Sequence, residues 1–245
     1  MGAAVISFGP ADLQTNTGET LEDTGRVLSS YIDALVLRTN GPISEMRSLA
    51  LGLPAVINAM SNCEHPTQAL ADYCCIQERF GKLEGLSLAY FGTGNNTAVG
   101  LALLCSSMPS LRAEFFIPKA FSFSEQTMQV LTKRAKRSGA SFIVSHSIPP
   151  EPAKVDVVYT SRWRTMGIAP TDPDWAVTLN PYRVDRDLYE RFARSGHTIL
   201  MHDLPAVRGE EITDEMLHHD DSIVWRQAHH KLSAAKGSLL YSLGY

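Results

Sequence analysis

Short apolar segments alternate with helical segments along almost the whole chain, and this alternation constrains the fold more than any other feature. Segments with helical periodicity lie at 19–31, 66–79, 96–107, 123–137, 184–195 and 222–242. The predicted strands, each five or six residues long, are 3–8, 34–38, 54–58, 86–91, 113–118, 141–145, 155–160 and 197–202. Near-continuous apolar strands joined by helical crossovers predict parallel sheets covered on both faces. We therefore expect an α/β protein.

The composition indicates a globular protein with no nucleic-acid or membrane partner. The 245 residues are 44% hydrophobic and carry 22 basic and 26 acidic side chains, a net charge of -4. No apolar run reaches membrane-spanning length, and the N-terminus lacks the pattern of a signal peptide. The cysteines, Cys63, Cys74, Cys75 and Cys105, have no metal-ligand spacing. We predict reduced thiols and a cytoplasmic protein.

Polar residues cluster immediately after several predicted strands. Arg38 ends one strand, and the loops "FGTGNN" (91–96), "TSRWRTMG" (160–167) and "HDLPAVRGEE" (202–211) follow others. Ligands of open parallel sheets bind beyond the carboxyl ends of the strands. These loops are therefore the candidate binding site.

The stretch "HPTQ" (65–68) begins a predicted helix. Proline is well tolerated in the first helical turn, and His65 and Gln68, three residues apart, would share a face at the positive end of the helix. An imidazole, an amide and free backbone N–H groups suit a carbonyl oxygen that gains negative charge during a reaction. The alternative is an ordinary helix start with a solvated histidine and glutamine.

Two other patterns favour neither a nucleotide nor a metal. "FGTGNNTAVG" (91–100) lacks the third glycine of a dinucleotide fingerprint and is also typical of a plain strand-to-helix turn. The histidine pairs at 218–219 and 229–230 cannot share one metal on one helix face, so we interpret them as solvated. We expect no cofactor and no metal.

Six segments, in order, resemble the aspartate/ornithine carbamoyltransferase family, and the similarity runs from about residue 2 to about residue 240. They are "GETLEDTGRVLSSYIDALVLR" (18–38), "HPTQALAD" (65–72), "GTGNNTAVGLAL" (92–103), "VDVVYTSRWRTMG" (155–167), "MHDLPAVRGEEIT" (201–213) and "SIVWRQAHHKLSAAKGSLL" (222–240). The resemblance implies two doubly wound parallel-sheet domains. We expect a carbamoyl-binding domain at 1–78, joined by the helix 222–243, and an acceptor-binding domain at 79–221.

The resemblance also implies a reaction in which an amine attacks the carbonyl of carbamoyl phosphate. Arg38, His65 and Gln68 match the positions that hold and polarise the carbamoyl oxygen. The backbone carbonyls of 203–205, including Leu204, match those that accept from the carbamoyl amide. Such catalysis uses preorganised donors and needs no covalent intermediate. For a repurposed reaction that does not use phosphate, Asp203 is a candidate general base beside the carbonyl site.

The sequence departs from the family at the phosphate site. Family members carry a Ser-Thr-Arg-Thr-Arg stretch that opens a helix upstream of the segment matching 3–8, and this sequence contains no such stretch. We therefore expect a naturally short member with a truncated N-terminal domain. Without that element carbamoyl phosphate should bind weakly, unless a partner chain or Arg162 and Arg164 supply cations.

The predicted acceptor pocket is a hybrid. Ser161 replaces an aspartate of the ornithine enzymes, whereas Arg162 looks like the arginine with which aspartate enzymes grip a carboxylate. Two arginines, Arg162 and Arg164, oppose a cationic acceptor and favour a carboxylate-bearing one. A surface loop anchored by Trp163 is the alternative.

Some further residues of the predicted acceptor pocket match the ornithine enzymes, and others depart from them. Asn95 and Asn96 resemble the ornithine type, in which an asparagine holds the amino-acid backbone. Asp203 replaces a cysteine of the ornithine enzymes and Lys231 an arginine. Asp203 could instead pair structurally with His202 or with Arg208, itself a candidate binding residue.

Three functions stay open on this sequence. The first is carbamoyl transfer to a carboxylate-bearing amino acid. The second is repurposed chemistry on a ureido, amide or carboxylate substrate, and the third is a non-catalytic binding subunit. The final helix would expose an apolar face, so we expect a homo-oligomer, a trimer or a multiple of it. That face comprises Ile223, Val224, Leu232, Leu239 and Leu240.

Overall fold

The structure, a computed structural model, describes residues 2–9, 12, 17–164 and 173–245. The chain divides into two units. The first contains the residues up to Asn62 together with Gly237–Tyr245, and the second contains Cys63–Lys236.

The first unit contains two helices and a two-stranded parallel sheet. Its elements are α1 (Leu21–Leu28), β1 (Leu35–Arg38), α2 (Ile43–Ala50) and β2 (Val56–Met60). Leu35 lies opposite Val56, and the register shifts between Leu37 and Arg38. Thr20 caps α1 by accepting a hydrogen bond from the backbone N–H of Asp23 at 3.1 Å.

The predicted strand at 3–8 is wrong. Residues 2–9 form no strand, and Val5 and Ile6 are exposed, Val5 to 87%. An apolar segment becomes a strand only when a neighbour pairs with its backbone groups, and the two described strands of this unit pair with each other. The opposite error occurs at α2, a helix that the periodicity did not predict.

The second unit is built on a five-stranded parallel sheet. Its strands are β3 (Ser87–Phe91), β4 (Arg112–Phe116), β5 (Ser141–Ser145), β6 (Val157–Thr160) and β7 (Ile199–His202), in the spatial order β5-β4-β3-β6-β7. Its helices are α3 (Pro66–Phe80), α4 (Asn96–Cys105), α5 (Glu125–Ser138), α6 (Trp175–Leu179), α7 (Arg186–Phe192), α8 (Asp214–Leu217) and α9 (Val224–Ser242), the last of which ends in the first unit. The α/β class with parallel sheets is confirmed.

Both faces of the larger sheet are buried at its central strand. Along β3, Leu88 and Tyr90 pack into one apolar cluster, whereas Ala89 and Phe91 pack into another on the opposite face. Side chains alternate between the faces of a strand, so a strand covered on both sides needs apolar residues throughout. This burial explains the uninterrupted apolar segments in the sequence.

A buried carboxylate fixes the amino ends of three strands. Asp156 accepts hydrogen bonds from the N–H and the hydroxyl of Ser87, both at 2.7 Å, from Arg194 at 2.5 Å and from His197 at 2.7 Å. Burial alone would raise the pKa of this carboxyl, but the bonds from Ser87, His197 and Arg194 lower it to about 2.

The apolar face predicted for the final helix is only partly exposed. Val224 is buried and Ile223 packs against the core, which corrects the expectation for both residues. Leu232 and Trp225 are each 56% exposed. All four cysteines are free, as predicted. Among the described residues, no helix is both long and apolar enough to cross a membrane.

Candidate active site

The strand order places a topological switch point beside β3. The chain runs outward from β3 through β4 to β5 and then returns to place β6 on the other side of β3. Ligands bind at such points because the loops after the two central strands diverge there. The candidate residues after β3 and β6 therefore lie side by side.

Hydrogen bonds join these two loops directly. The side-chain nitrogen of Asn95 donates to the hydroxyl of Ser161 at 3.0 Å and to the carbonyl of Arg162 at 2.9 Å. The hydroxyls of Ser161 and Tyr90 lie 2.7 Å apart. Asn95 also caps α4, since its Oδ1 accepts from the N–H of Ala98 at 2.9 Å. Both ends of the Asn95 amide are thus used in holding the loops together.

Trp163 anchors the loop after β6, as the alternative interpretation of the sequence proposed. Its side chain is buried, and its carbonyl accepts from Thr93 at 3.3 Å. Gly92 permits this contact, because a Cβ there would lie 3.2 Å from the indole ring and because its φ of 137° disfavours other residues. The remaining loop residues 165–167 lie outside the described residues.

The start of α3 lies against the start of α4. Pro66 is the first residue of α3 and His65 precedes it, as predicted. The N–H of His65 donates to the carbonyl of Asn96 at 3.1 Å, and a Cβ on Gly100 would lie 3.0 Å from the carbonyl oxygen of His65. Two helix N-termini, both favourable to negative charge, therefore lie next to each other.

Asp203 reaches this same place from β7. Its Oδ2 accepts from the hydroxyl of Thr97, in the first turn of α4, at 2.8 Å, and its backbone carbonyl accepts from Lys231 at 2.6 Å. Its Oδ1 is buried and has no hydrogen-bond partner within the described part of the chain. Burial raises the pKa of Asp203. An acceptor atom is therefore available beside the paired helix starts.

His202 and Glu211 hold the loop that carries Asp203. Nδ1 of His202 accepts from the N–H of Leu204 at 2.8 Å, so the ring proton lies on Nε2, which donates to Glu211 at 3.0 Å. Since Nδ1 carries no proton, its 3.5 Å separation from Asp203 is not an ion pair. Arg208 pairs with Asp214 at the surface, at 2.5 Å, and not with Asp203.

Gln68 is positioned differently from the sequence expectation. It is only 2% exposed, and its amide nitrogen donates to Asp72 at 2.8 Å. Its Oε1 is buried with no hydrogen-bond partner among the described residues. The available atom is thus an acceptor, which suits an N–H group better than a carbonyl oxygen.

Asp72, Tyr159 and Gln227 form a buried cluster that the sequence reasoning missed. Asp72 accepts from Tyr159 at 3.0 Å and from Gln227 at 2.7 Å as well as from Gln68. Only the spacing of Asp72, four residues after Gln68 on one helix, signals a contact in the sequence. The other two partners are distant in the chain.

The two arginines after β6 have different surroundings. Arg164 forms a two-point ion pair with Glu210, at 2.7 and 3.3 Å, and its guanidinium lies over the ring of Trp175. Arg162 has a buried Nε with no hydrogen-bond partner in the described ranges. One of the two positive charges expected to repel a cationic acceptor is therefore compensated.

Arg38 ends β1 and is exposed. It belongs to the first unit, whereas His65 and Gln68 belong to the second. The convergence of these three side chains stays a prediction.

The histidine pairs are not uniformly solvated. His218 is exposed, but His230 is 9% exposed and lies 2.7 Å from a carboxylate oxygen of Glu78. Our interpretation was therefore wrong for His230, which packs inward because α9 lies against the helix that carries Glu78. No group of three or more potential metal ligands occurs among the residues that the structure describes.

Two family models match the chain. The carbamoyl-P binding domain of the aspartate/ornithine carbamoyltransferases matches residues 1–78, and the Asp/Orn binding domain matches residues 84–243. An ornithine carbamoyltransferase of Parafrankia sp. is 37% identical over 99% of this chain and 76% of its own length. An anabolic ornithine carbamoyltransferase of Pyrococcus furiosus is 34% identical over 100% of this chain and 76% of its own.

Solved structures agree with these matches. The ornithine carbamoyltransferase from Pyrococcus furiosus superposes with a TM-score of 0.84 at 34% identity, covering 95% of this chain and 74% of its own. The enzyme from Gloeobacter violaceus gives 0.79 at 33% identity, covering 92% and 74%. The fold and these matches together define an α/β transferase. The chain belongs to the aspartate/ornithine carbamoyltransferase family.

Proposed function

We propose that the protein transfers a carbamoyl group to the side-chain amine of an amino acid, with ornithine as the acceptor. One observation carries the proposal: the starts of α3 and α4 and the loop after β7 meet, through the bonds from His65 to Asn96 and from Thr97 to Asp203. The names of the similar proteins point to the same reaction.

The carbamoyl group would be held from two sides. His65 would donate to the carbonyl oxygen as it gains negative charge, and Arg38 stays the second donor predicted from the sequence. Oε1 of Gln68 and the backbone carbonyls of 203–205 would accept the two N–H bonds of the carbamoyl amide. This assignment revises the role of Gln68, because its amide nitrogen is already bonded to Asp72. Preorganised dipoles of this kind lower the barrier without covalent participation by the protein.

The transfer step would use Asp203 as the proton acceptor. The acceptor amine binds as an ammonium group and reacts after losing one proton to solvent; its lone pair then attacks the carbamoyl carbon, and the bond from that carbon to the phosphate oxygen breaks with its electron pair on phosphate. The amine proton passes to the carboxylate of Asp203. A base for this step benefits from a raised pKa, and burial raises that of Asp203.

The charges of the pocket support ornithine. Since Glu210 compensates Arg164, Arg162 is left to bind the acceptor's carboxylate. Asp203 supplies a carboxylate for the cationic side chain, which Ser161 cannot do. Ornithine carries both groups, so it also satisfies the carboxylate-bearing acceptor expected from the sequence.

Assembly and domain boundaries form part of the proposal. We propose a homotrimer or a multiple of it, a carbamoyl-binding domain at 1–78 joined by 222–243, and an acceptor domain at 79–221.

The experiment is a comparison of acceptors with the purified full chain. Carbamoyl phosphate is supplied with ornithine or with aspartate, and the ureido product and inorganic phosphate are both measured. We expect product from ornithine, and a loss of at least 100-fold in kcat for Asp203→Asn. The surface variant Glu190→Gln serves as the control. Product from aspartate alone, or an Asp203→Asn variant as active as the wild type, would refute the proposal.

A further inference from the structure

A series of buried hydrogen bonds connects β7 to Gln68, and in each bond the donor and the acceptor are fixed by chemistry. It begins at the backbone N–H of His202, which can only donate, and which donates to Oε1 of Gln227 at 2.8 Å. This bond sets the orientation of the Gln227 amide, so its nitrogen faces Asp72 and donates at 2.7 Å. Gln227 is fully buried on α9.

Asp72 is the next member of this series of hydrogen bonds, and it is an acceptor. It is fully buried, and within the described part of the chain its carboxylate accepts from three side chains: Gln227 and Gln68 bond Oδ1, and Tyr159 bonds Oδ2. An ionised carboxylate accepts at both oxygens and donates nothing. While Asp72 is ionised, the nitrogen end of the Gln68 amide therefore faces it.

This series of hydrogen bonds ends at Oε1 of Gln68, an acceptor atom. With its nitrogen on Asp72, Gln68 presents Oε1, which is buried and has no hydrogen-bond partner among the described residues. Leaving a buried acceptor unpaired is unfavourable, and native proteins do so at few places, functional sites among them. The first turn of α3 that carries this atom begins at His65.

We propose that Asp72 is a positioning residue that acts through Gln68, holding its amide so that Oε1 is presented to the carbamoyl N–H group. Gln227 extends this control to the loop after β7, since it bonds both Asp72 and the residue preceding Asp203. The inference rests on the proposed function and deepens it. Asp72 and Gln227 thereby position both groups that would face the carbamoyl nitrogen: Oε1 of Gln68 and the loop after β7.

Protonation of Asp72 would release this control. Burial raises its pKa to about 7, while the bonds from Gln68, Gln227 and Tyr159 oppose the rise and the charge of Asp203 adds to it. Among the residues that the structure describes, the thiols of Cys75 and Cys105 also interact electrostatically with Asp72. A protonated Asp72 has one oxygen that donates. When the proton lies on Oδ1, the oxygen that otherwise accepts from Gln68, the Gln68 amide is no longer held with its nitrogen toward Asp72.

The activity test is a double-mutant cycle on the full chain with carbamoyl phosphate and ornithine. Asp72→Asn keeps the size of the side chain but cannot accept from all three donors. We expect a loss of about 100-fold in kcat/KM, since small misplacements of a binding group have effects of this size. In a Gln68→Ala background the same substitution should change kcat/KM by less than about 3-fold, because residues that act through one another are not additive.

A matched control separates positioning from folding. Asp156→Asn removes another buried carboxylate of the same unit, away from the proposed site, and should leave kcat/KM unchanged below its unfolding temperature. An Asp72→Asn loss that persists in full in the Gln68→Ala background would overturn the proposal, and so would an Asp72→Asn variant within 2-fold of the wild type.

NMR spectroscopy tests the contact between Gln68 and Asp72 independently of enzymatic activity. In protein labelled with ¹⁵N-glutamine, the Gln68 side-chain amide, assigned by its loss in Gln68→Ala, should shift with pH with a midpoint near 7. Asp72→Asn should abolish this titration. If the wild type transfers no carbamoyl group but the amide titrates, the proposed function fails and the bond to Asp72 stands. If Asp72→Asn leaves the resonance of the Gln68 amide unchanged, the positioning inference fails whatever the activity.

Discussion

Replacement of Asp156 by asparagine tests how the amino ends of the central strands are held. The carboxylate is 8% exposed and binds the backbone and hydroxyl of Ser87, the first residue of β3, as well as Arg194 and His197 ahead of β7. Asparagine retains the shape and one acceptor oxygen, but it removes the negative charge. The loss therefore reports on charge-assisted hydrogen bonds and not on packing.

The size of the effect follows from the pKa. The folded state lowers the pKa of Asp156 from 3.8 to about 2. Each pKa unit corresponds to about 1.4 kcal/mol, so ionisation of this carboxyl favours the folded state by about 2.5 kcal/mol at pH 7. Because the folded pKa is the lower one, this stability is present above pH 4 and is lost as the pH falls toward 2. At pH 3 about half of it should remain.

Urea denaturation followed by circular dichroism at pH 7 and pH 3, at one fixed protein concentration, provides the measurement. Asp156→Asn should lower the free energy of unfolding by about 2.5 kcal/mol at pH 7 and by about half as much at pH 3. Glu190→Gln, which removes one exposed partner of Arg186, should change it by less than about 0.5 kcal/mol. A difference below about 0.5 kcal/mol for Asp156→Asn at pH 7, or one that does not shrink at pH 3, would refute the reasoning.

Three further predictions concern the loop after β6, the acceptor and the assembly. Gly92→Ala places a Cβ 3.2 Å from Trp163 at a φ of 137° and should lower the free energy of unfolding by about 1–3 kcal/mol, measured by urea denaturation; an unchanged midpoint would contradict it. Glu210→Gln removes the negative charge that compensates Arg164. In steady-state assays it should raise the KM for ornithine about 3-fold or more while the KM for carbamoyl phosphate stays constant. Equal changes in both KM values would count against the charge argument. Light scattering should give a mass three times, or a multiple of three times, the 26.9 kDa of one chain, and Leu232→Lys should reduce it; a monomeric wild type would exclude the proposed assembly.

Most of the larger elements could be predicted from the sequence because each has its own local signal. The strand predicted at 141–145 matches β5 in full, and Pro66 marks the first residue of α3. The helices α2, α6 and α8 were missed, whereas α1 and α7, which are of similar length to α2, were predicted. Helices of one or two turns give only a weak periodic signal. The apolar segment 3–8 shows the converse limit, because strand formation requires a partner that no local pattern reveals.

The candidate site was predictable in location but not in detail. The strand-end rule correctly placed the residues after β3, β6 and β7 at one edge of the sheet. It could not show which atoms are already bonded within the protein. Asn95 was expected to hold substrate, yet its amide is bonded to Ser161, Arg162 and Ala98.

Long-range partners account for the remaining differences. Glu210 compensates Arg164 from 46 residues away, and Gln227 reaches Asp72 across 155 residues. Side-chain pairs at such separations leave no periodic trace in a single sequence. They decide the net charge of the acceptor loop and the orientation of Gln68, which are the two properties on which the proposed chemistry depends.

The central claim is that an imidazole at the start of α3 stabilises the negative charge that develops on a carbamoyl oxygen. The most direct measurement is the kcat of His65→Ala, compared with the wild type, for the formation of ureido product from carbamoyl phosphate and ornithine. We predict a loss of about 100- to 1,000-fold, as for removal of one oxyanion donor, with an unchanged unfolding midpoint. A His65→Ala variant that folds normally and turns over within 3-fold of the wild type would contradict the account.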